Sequence, residues 1–401
     1  MPQRHPLLEH LLERMAEAGG SDLHLKSGAA AKIRRSGEIV ALPDAFVDTE
    51  TMEAIAAALA GGEGGVARLR EGRRGLDGYY LHPNGSRYRV NLFLHVKGIA
   101  AVLRFIPAAC RSLEALGLPE TVERLTRLER GLVLITGTTG SGKSTTLASI
   151  IDRINRQRAR HIITIEDPIE FIHTDARCII EQRNIGEHVD DFASALKDAL
   201  REDPDIILVG EMRDPETIKI ALHAANTGHL VFSTLHTLDA KETVSRIISV
   251  FAPAEQNLIR TSLASVLQGV VSQRLIKSDG GDLTAAVEVL RNSERVRQMI
   301  MEGRENELLD VIEESGGAHG MQSFDQSLLQ LCIDGVIDGE SALSQATRPA
   351  DLALALSRYA PLPEAREIIG LKPQTPGAAE TKSGEAPDVP ALKTNLLKKF
   401  R

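Results

Sequence analysis

The chain has 401 residues, of which 42% are hydrophobic and 25% charged, a composition typical of a globular protein with two or three domains. Its net charge of −8 gives no overall electrostatic footprint for nucleic acid, and no stretch approaches the ~18 consecutive apolar residues that cross a bilayer. The first residues lack the apolar core of a signal peptide, so we expect the protein to stay in the cytoplasm.

The first part of the chain, residues 1–107, has the pattern of a small α/β domain. Apolar residues recur at helical spacing near its start, at Leu7, Leu8, Leu11, Leu12 and Met15. The following Gly19-Gly20 suits the end of a helix. Alternating or apolar runs predict strands at residues 22–25, 33–40, 78–81, 88–94 and 100–105, and a helix is predicted at 49–60.

The rest of the chain divides into four predicted segments. After a linker at residues 108–130, short apolar runs alternate with helical stretches over residues 131–292. This alternation predicts a layered α/β domain with a mainly parallel sheet. Residues 293–360 are predicted to be helical, and residues 361–401, rich in Pro, Gly, Ala, Thr and Glu, are predicted to be a disordered tail.

One motif of the form G-x-x-x-x-G-K-S lies between a predicted strand, 132–136, and a predicted helix, 144–154. Its glycines let backbone N–H groups curl around phosphate oxygens, and the helix start adds the positive end of its dipole. We expect Lys143 to reach the β- and γ-phosphates of ATP and the Ser144 hydroxyl to bind Mg²⁺. A glycine-rich turn that matches by chance is the alternative, which both flanking elements disfavour. The predicted nucleotide-binding residues are Gly137, Thr138, Thr139, Gly140, Ser141, Gly142, Lys143, Ser144 and Thr145.

Three later predicted strands, 161–165, 206–209 and 230–233, end in polar residues. Because ligands bind at the carboxyl ends of parallel strands, these residues should converge on the glycine-rich loop. Glu170 and Glu211 are the candidates for orienting the attacking water and for holding Mg²⁺ through its water shell. Either could instead cap the next helix, and the sequence leaves open which carboxylate of the 166–170 cluster acts.

His229 and His236 are candidates for sensing the γ-phosphate, because a neutral imidazole can donate a hydrogen bond to one of its oxygens. A single histidine is more often structural. His236 is the stronger candidate because it follows a predicted strand and has hydroxyl residues beside it.

With these segments in this order, the chain resembles the PilT/PilU family of type IV pilus retraction ATPases, within the type II/IV secretion ATPase superfamily. The matching segments are GGSDLHL (19–25), RYRVNLF (87–93), ERGLVLITGTTGSGKSTTLA (129–148), ITIEDPIEF (163–171), LREDPDIILVGEMRD (200–214), TGHLVFSTLHT (227–237) and GMQSFDQSL (320–328). The resemblance implies a PAS-like N-terminal domain and a RecA-like P-loop ATPase domain. It also implies a homohexamer at the inner-membrane pilus base, which contacts a platform protein and drives pilin disassembly.

The resemblance also assigns roles by position. It makes Glu170 the catalytic glutamate and Glu211 the Walker-B glutamate, and it places His229 and His236 in the family's His-box. In the family, arginines of the N-terminal domain complete the site, and Arg89 and Arg104 match them best. A ring can supply such an arginine finger across a subunit interface, although a solvated strand edge would explain each arginine equally well.

The sequence does not decide between the two branches of the family. Residues 292–300 match the PilT pattern poorly, and the run that starts at Gly320 is closer to PilU, whereas residues 201–204 and 228–237 are closer to PilT. A main motor and an accessory subunit acting with a paralogous retraction ATPase both remain open. A regulatory subunit that hydrolyses little is disfavoured by the intact phosphate loop. A nucleic-acid translocase is disfavoured by the charge of −8 and the lack of an aromatic platform.

Overall fold

The computed structural model describes residues 4–35, 37–72, 75–106, 110–315 and 320–359. The chain divides into two units, residues 1–109 and 110–401. The predicted disordered tail, 361–401, lies outside the described residues. Within the described ranges, every helix is too short or too polar to span a lipid bilayer.

The first unit contains a six-stranded antiparallel sheet with helices packed on it. The strands are arranged in the order β3-β2-β1-β6-β5-β4. Its elements are α1 (Pro6–Glu17), β1 (Asp22–Lys26), β2 (Ala29–Arg35), β3 (Glu38–Val47), α2 (Thr49–Leu59), α3 (Glu63–Gly72), β4 (Leu76–Leu81), β5 (Arg87–His95) and β6 (Gly98–Ile106).

Local sequence accounts for most of these elements. Leu8, Leu11, Leu12 and Met15 of α1 are buried against the sheet, as their spacing predicts, and Leu7 is partly buried. Asp48 begins α2 by accepting a hydrogen bond from the Thr51 backbone N–H at 2.7 Å. The single strand predicted at 33–40 is wrong. β2 ends at Arg35 and β3 begins at Glu38, with Gly37 at a φ of +87° in the turn between them.

The second unit contains a seven-stranded sheet in the order β13-β12-β7-β11-β10-β8-β9. All neighbouring strands are parallel except β12 and β13, so the mainly parallel sheet is confirmed. The elements up to the end of this sheet are α4 (Glu120–Leu125), β7 (Gly131–Thr136), α5 (Lys143–Gln157), β8 (His161–Glu166), β9 (Ile179–Asn184), α6 (Phe192–Ala199), β10 (Ile206–Val209), α7 (Pro215–Asn226), β11 (Leu230–Leu235), α8 (Ala240–Ser249), α9 (Pro253–Val266), β12 (Leu267–Lys277) and β13 (Leu283–Arg291).

The helical character predicted for the C-terminal segment is confirmed. Its helices bury a small apolar cluster that includes Phe324, Leu328 and Cys332. They are α10 (Glu294–Glu302), α11 (Leu308–Glu314), α12 (Phe324–Ile333), α13 (Gly339–Gln345) and α14 (Pro349–Tyr359).

The centre of the parallel sheet positions the candidate site. Every residue of β7, β10 and β11 is buried, as expected for strands covered on both faces. Since these strands and β8 run in the same direction, the loops that follow them emerge at one edge of the sheet.

Candidate active site

The glycine-rich loop between β7 and α5 has a backbone that few other residues could adopt. Gly137, Gly140 and Gly142 have φ angles of +142°, +82° and +90°. A Cβ on Gly137 would lie 2.4 Å from Ser141 Oγ and 2.5 Å from the Gln273 carbonyl oxygen. All three positions therefore favour glycine for its conformation, and Gly137 needs it for space as well.

Lys143, the first residue of α5, is 8% exposed. Its Nζ donates hydrogen bonds to the carbonyl oxygens of Gly137 at 2.8 Å and Thr138 at 2.9 Å. Burial lowers the pKa of Lys143, and the negative charges of Glu211 and Glu170 oppose that shift. The ammonium group thus lies within electrostatic reach of both predicted carboxylates.

Glu211 lies two residues beyond the end of β10, and its side chain is 17% exposed. Its Oε2 lies 2.7 Å from Arg213 Nη2 and 3.4 Å from His236 Nε2. The hydrogen bond to Glu211 raises the pKa of Arg213. The structure thereby brings Glu211 and His236 together at the ends of neighbouring strands.

Two hydrogen bonds fasten those strand ends to each other. Thr234 Oγ1 donates to the Gly210 carbonyl oxygen at 2.6 Å, and the Met212 N–H donates to the Thr234 carbonyl oxygen at 3.3 Å. Gly210 also packs tightly against β8, because a Cβ there would lie 3.1 Å from the Ile165 carbonyl oxygen. The loop that carries Glu211 therefore packs between the end of β11 on one side and the end of β8 on the other.

The end of β8 and the segment after it contain the carboxylates that the sequence could not tell apart. Glu166 Oε1 accepts hydrogen bonds from Thr164 Oγ1 at 2.6 Å and Gln182 Nε2 at 3.2 Å. Burial raises the pKa of Glu166 to about 7. Glu170 is exposed instead, in a segment anchored by the Ile169 N–H, which donates to Asn184 Oδ1 at 3.1 Å. Glu166 thus has the setting of a structural carboxyl, and Glu170 that of an accessible one.

These groups surround a cavity of about 210 Å³ at the carboxyl edge of the sheet. Its lining contains part of the glycine-rich loop together with residues at and beyond the ends of β8, β10 and β11. Among the described lining residues are Thr139, Gly140, Lys143, Ser144, Glu166, Glu170, Glu211, Arg213, Thr234 and His236. A triphosphate bound along the loop would place its terminal phosphate among the carboxylates and His236.

The other predicted histidine lies at the opposite end of β11. His229 Nδ1 is 3.0 Å from the Ala224 carbonyl oxygen, and its own carbonyl oxygen accepts a hydrogen bond from the Gly131 N–H at the start of β7. At ~3.3 Å per residue, this position is about 20 Å from the carboxyl edge. Within one chain, His229 is not brought together with Lys143.

The two predicted arginines belong to the first unit and are paired in register across β5 and β6. Arg104 Nε donates to Asp22 Oδ1 at 2.7 Å, and Asp22 itself is 2% exposed. Arg89 Nη2 lies 3.8 Å from Asp77 Oδ1. Both guanidinium groups are thus partly solvated and each is paired with a carboxylate of its own unit.

The donor set of the second unit fits Mg²⁺. This ion usually takes one or two protein oxygens, with the remaining ligands from water and substrate phosphates. The Ser144 hydroxyl at the start of α5 and the Glu211 carboxylate both line the cavity and offer such oxygens.

Sequence reasoning assigned no role to four residues that shape the site: Thr164, Gln182, Arg213 and Thr234. Arg213 had a detectable signal, because it stands two residues after Glu211 in the same polar strand end. The contacts of Gln182 depend on β9, a strand that the sequence analysis did not predict.

Comparison with known proteins matches a family model described as type II/IV secretion system protein to residues 84–326. Over 342 residues, the chain is 41% identical to the type IV pilus retractation ATPase PilT of Pseudomonas aeruginosa, covering 85% of this chain and 98% of that protein. It is 36% identical over 355 residues to the type IV pilus ATPase PilU of the same bacterium, covering 87% and 91%.

A crystal structure of the pilus retraction motor PilT with bound ADP superposes with a TM-score of 0.80 and 39% identity, covering 88% of this chain and 100% of that one. Both the sequence and the fold are thus similar to those of these relatives across most of the chain.

Proposed function

Since this chain belongs to the type II/IV secretion system protein family, we propose that it is an ATP-hydrolysing motor that powers type IV pilus retraction, and with it twitching motility. The observation that carries the proposal is the convergence of Lys143, Glu170, Glu211 and His236 on one cavity beside the glycine-rich loop. This arrangement supplies a phosphate cradle, a cation, two carboxylates and an imidazole at one sheet edge.

In the proposed reaction, water attacks the γ-phosphorus of ATP and the bond to the β-phosphate oxygen breaks, which yields ADP and phosphate. The loop amides and Lys143 bind the β- and γ-phosphates, and Lys143 exchanges its two carbonyl contacts for phosphate oxygens. Glu170, the accessible carboxylate, orients the water and accepts its proton. His236 contacts the γ-phosphate and is itself positioned by Glu211.

Ser144 and Glu211 are the proposed Mg²⁺ ligands, with Glu211 acting directly or through a water. When bound, the ion neutralises charge that develops on the phosphate oxygens.

The working assembly we propose is a homohexamer at the cytoplasmic face of the inner membrane, acting on a membrane platform protein of the pilus. In such a ring, Arg89 and Arg104 would exchange their carboxylate partners for the phosphates of a neighbouring subunit. The role of main motor is favoured over that of an accessory PilU-like subunit by the higher identity to PilT, 41% against 36%. An accessory subunit would need a paralogous retraction ATPase for activity.

The proposal is tested by Mg²⁺-dependent phosphate release from ATP, with the mass of the assembly measured on the same samples. We expect the hexameric wild type to hydrolyse ATP slowly. Lys143→Ala should lose nucleotide binding, whereas Glu170→Gln should bind nucleotide and lose at least ~100-fold in turnover. Glu187→Gln, an exposed glutamate beyond β9, is the matched control and should match the wild type.

A hexameric wild type that binds ATP but releases phosphate no faster than Lys143→Ala contradicts the proposal as stated. In that case, phosphate release measured after adding the paralogous ATPase decides whether this chain is an accessory subunit.

A further inference from the structure

One buried carboxyl group of the second unit has no part in the mechanism above. Glu288 lies on β13, is 2% exposed, and is not among the described residues that line the nucleotide cavity. A carboxyl group is rarely buried so completely without a specific partner, because burial removes its hydration.

The partner of Glu288 is the first turn of α8. Glu288 Oε1 accepts a hydrogen bond from the Ala240 N–H, the first residue of the helix, at 2.8 Å. The side chain of the N-cap residue Asp239 accepts from the Glu242 N–H at 2.7 Å, so it does not serve Ala240. Glu288 therefore satisfies a buried helix N–H group that would otherwise have no acceptor. Only three residues separate this N–H group from His236.

On its other side, Glu288 is in register with residues that lead to the strand before the glycine-rich loop. It is the register partner of Ser272 on β12, which in turn is the register partner of Thr136, the last residue of β7. Thr136 Oγ1 donates to Ser272 Oγ at 2.9 Å, and both side chains are fully buried. A row of three polar residues thus crosses the sheet from the start of the loop to the start of α8.

We propose that Glu288 is a positioning residue whose carboxyl group holds the start of α8, and with it His236, in register with the strand that carries the phosphate loop. The assignment of a role to His236 rests on the proposed function. The contact between Glu288 and the start of α8 is a property of the fold and can be tested without measuring activity.

The charges around Glu288 agree with a neutral group. Burial raises the pKa of Glu288 to about 8. Asp239 at the start of α8 and Asp325 on α12 also raise it, whereas Arg274 on β12 and the hydrogen bond from Ala240 lower it. The guanidinium of Arg274 is partly committed elsewhere, because it lies 3.8 Å from the centre of the Phe324 ring.

The kinetic test compares Glu288→Ala with Glu288→Gln at pH 7. Glutamine keeps an oxygen that accepts from Ala240, so Glu288→Gln should retain wild-type kcat. Glu288→Ala should lose about 10- to 100-fold in kcat while KM stays within about twofold, because His236 shifts and the phosphate loop does not. Ser327→Ala is the matched control: Ser327 Oγ accepts from the Val287 N–H at 3.1 Å on the same strand, with no link to α8. It should lower Tm and leave kcat unchanged.

Two measurements are independent of catalysis. Hydrogen exchange of residues 236–249 should be faster in Glu288→Ala than in Ser327→Ala. The Tm of Glu288→Gln relative to wild type should rise between pH 5 and pH 8.5, because the native state of wild type keeps a proton over that range which its unfolded state gives up.

The proposal is overturned if Glu288→Ala exchanges and turns over like Ser327→Ala, or if folded Glu288→Gln is as slow as Glu288→Ala. A wild type without ATPase activity would instead count against the proposed function, and the exchange and Tm measurements would still decide the role of Glu288.

Discussion

A single asparagine on the P-loop helix should hold the segment that follows Glu170. Asn155 on α5 is 2% exposed. Its Nδ2 donates to the Thr174 carbonyl oxygen at 2.8 Å, and its Oδ1 accepts from the N–H groups of Ala176 at 3.0 Å and Cys178 at 3.3 Å. Three backbone groups between Glu170 and β9 therefore depend on one side chain.

Asn155→Ala removes all three hydrogen bonds, each worth about 0.5–1.5 kcal/mol net. Thr174 and Ala176 are exposed, so water can partly replace their lost partner, whereas the N–H of buried Cys178 has no such replacement. We therefore expect a loss of about 2 kcal/mol in the free energy of unfolding. Because Glu170 precedes this segment in the same loop, turnover should fall more than nucleotide affinity.

Urea unfolding and hydrogen exchange of residues 170–184 check this expectation. The matched control is Asn257→Ala, an exposed asparagine on α9, which should change stability by less than about 0.5 kcal/mol. If Asn155→Ala costs no more than the control, or if the segment exchanges at the wild-type rate, the asparagine does not hold it.

Two further perturbations test the site. Glu166 has a folded pKa of about 7, above its usual 4.5, so its stabilising contribution is complete below pH 4.5 and is lost as the pH rises through 7. In urea unfolding, the free energy of unfolding of Glu166→Gln relative to wild type should therefore rise by about 2–3 kcal/mol between pH 4.5 and pH 8. Glu187→Gln should show no such trend. Gly137→Ala should abolish nucleotide binding in a calorimetric titration, because its Cβ meets Gln273 backbone. At Gly140 an added Cβ would meet no atom within 4 Å, so Gly140→Ala should cost only the ~1–2 kcal/mol of placing alanine in a left-handed conformation. Equal effects of Gly137→Ala and Gly140→Ala on nucleotide binding would contradict the steric argument.

The sequence by itself determined the parts of the site that local constraints encode. Neighbouring residues alone predict the strand β7, the glycine-rich loop after it and the helix that begins at Lys143. Each glycine of the loop is required by the backbone angle at its own position. The apolar runs of β10 and β11 likewise identified Glu211 and His236 as strand-end residues.

Only the tertiary structure decided which of those residues lie together. The sequence could not separate Glu166 from Glu170, because the partner Gln182 lies on a strand that pairs with β8 at the sheet edge. It also grouped His229 with His236, although a six-residue strand carries them to opposite ends of the sheet.

The same reason explains why Glu288 carried no sequence signal. Its contacts to Ala240 and the row to Thr136 join residues that are far apart along the chain. Motif spacing reports short-range geometry, whereas strand order and register set which distant side chains share a buried layer. Local sequence therefore predicts the phosphate loop, whereas the strand order and register of the assembled sheet determine which residues surround it.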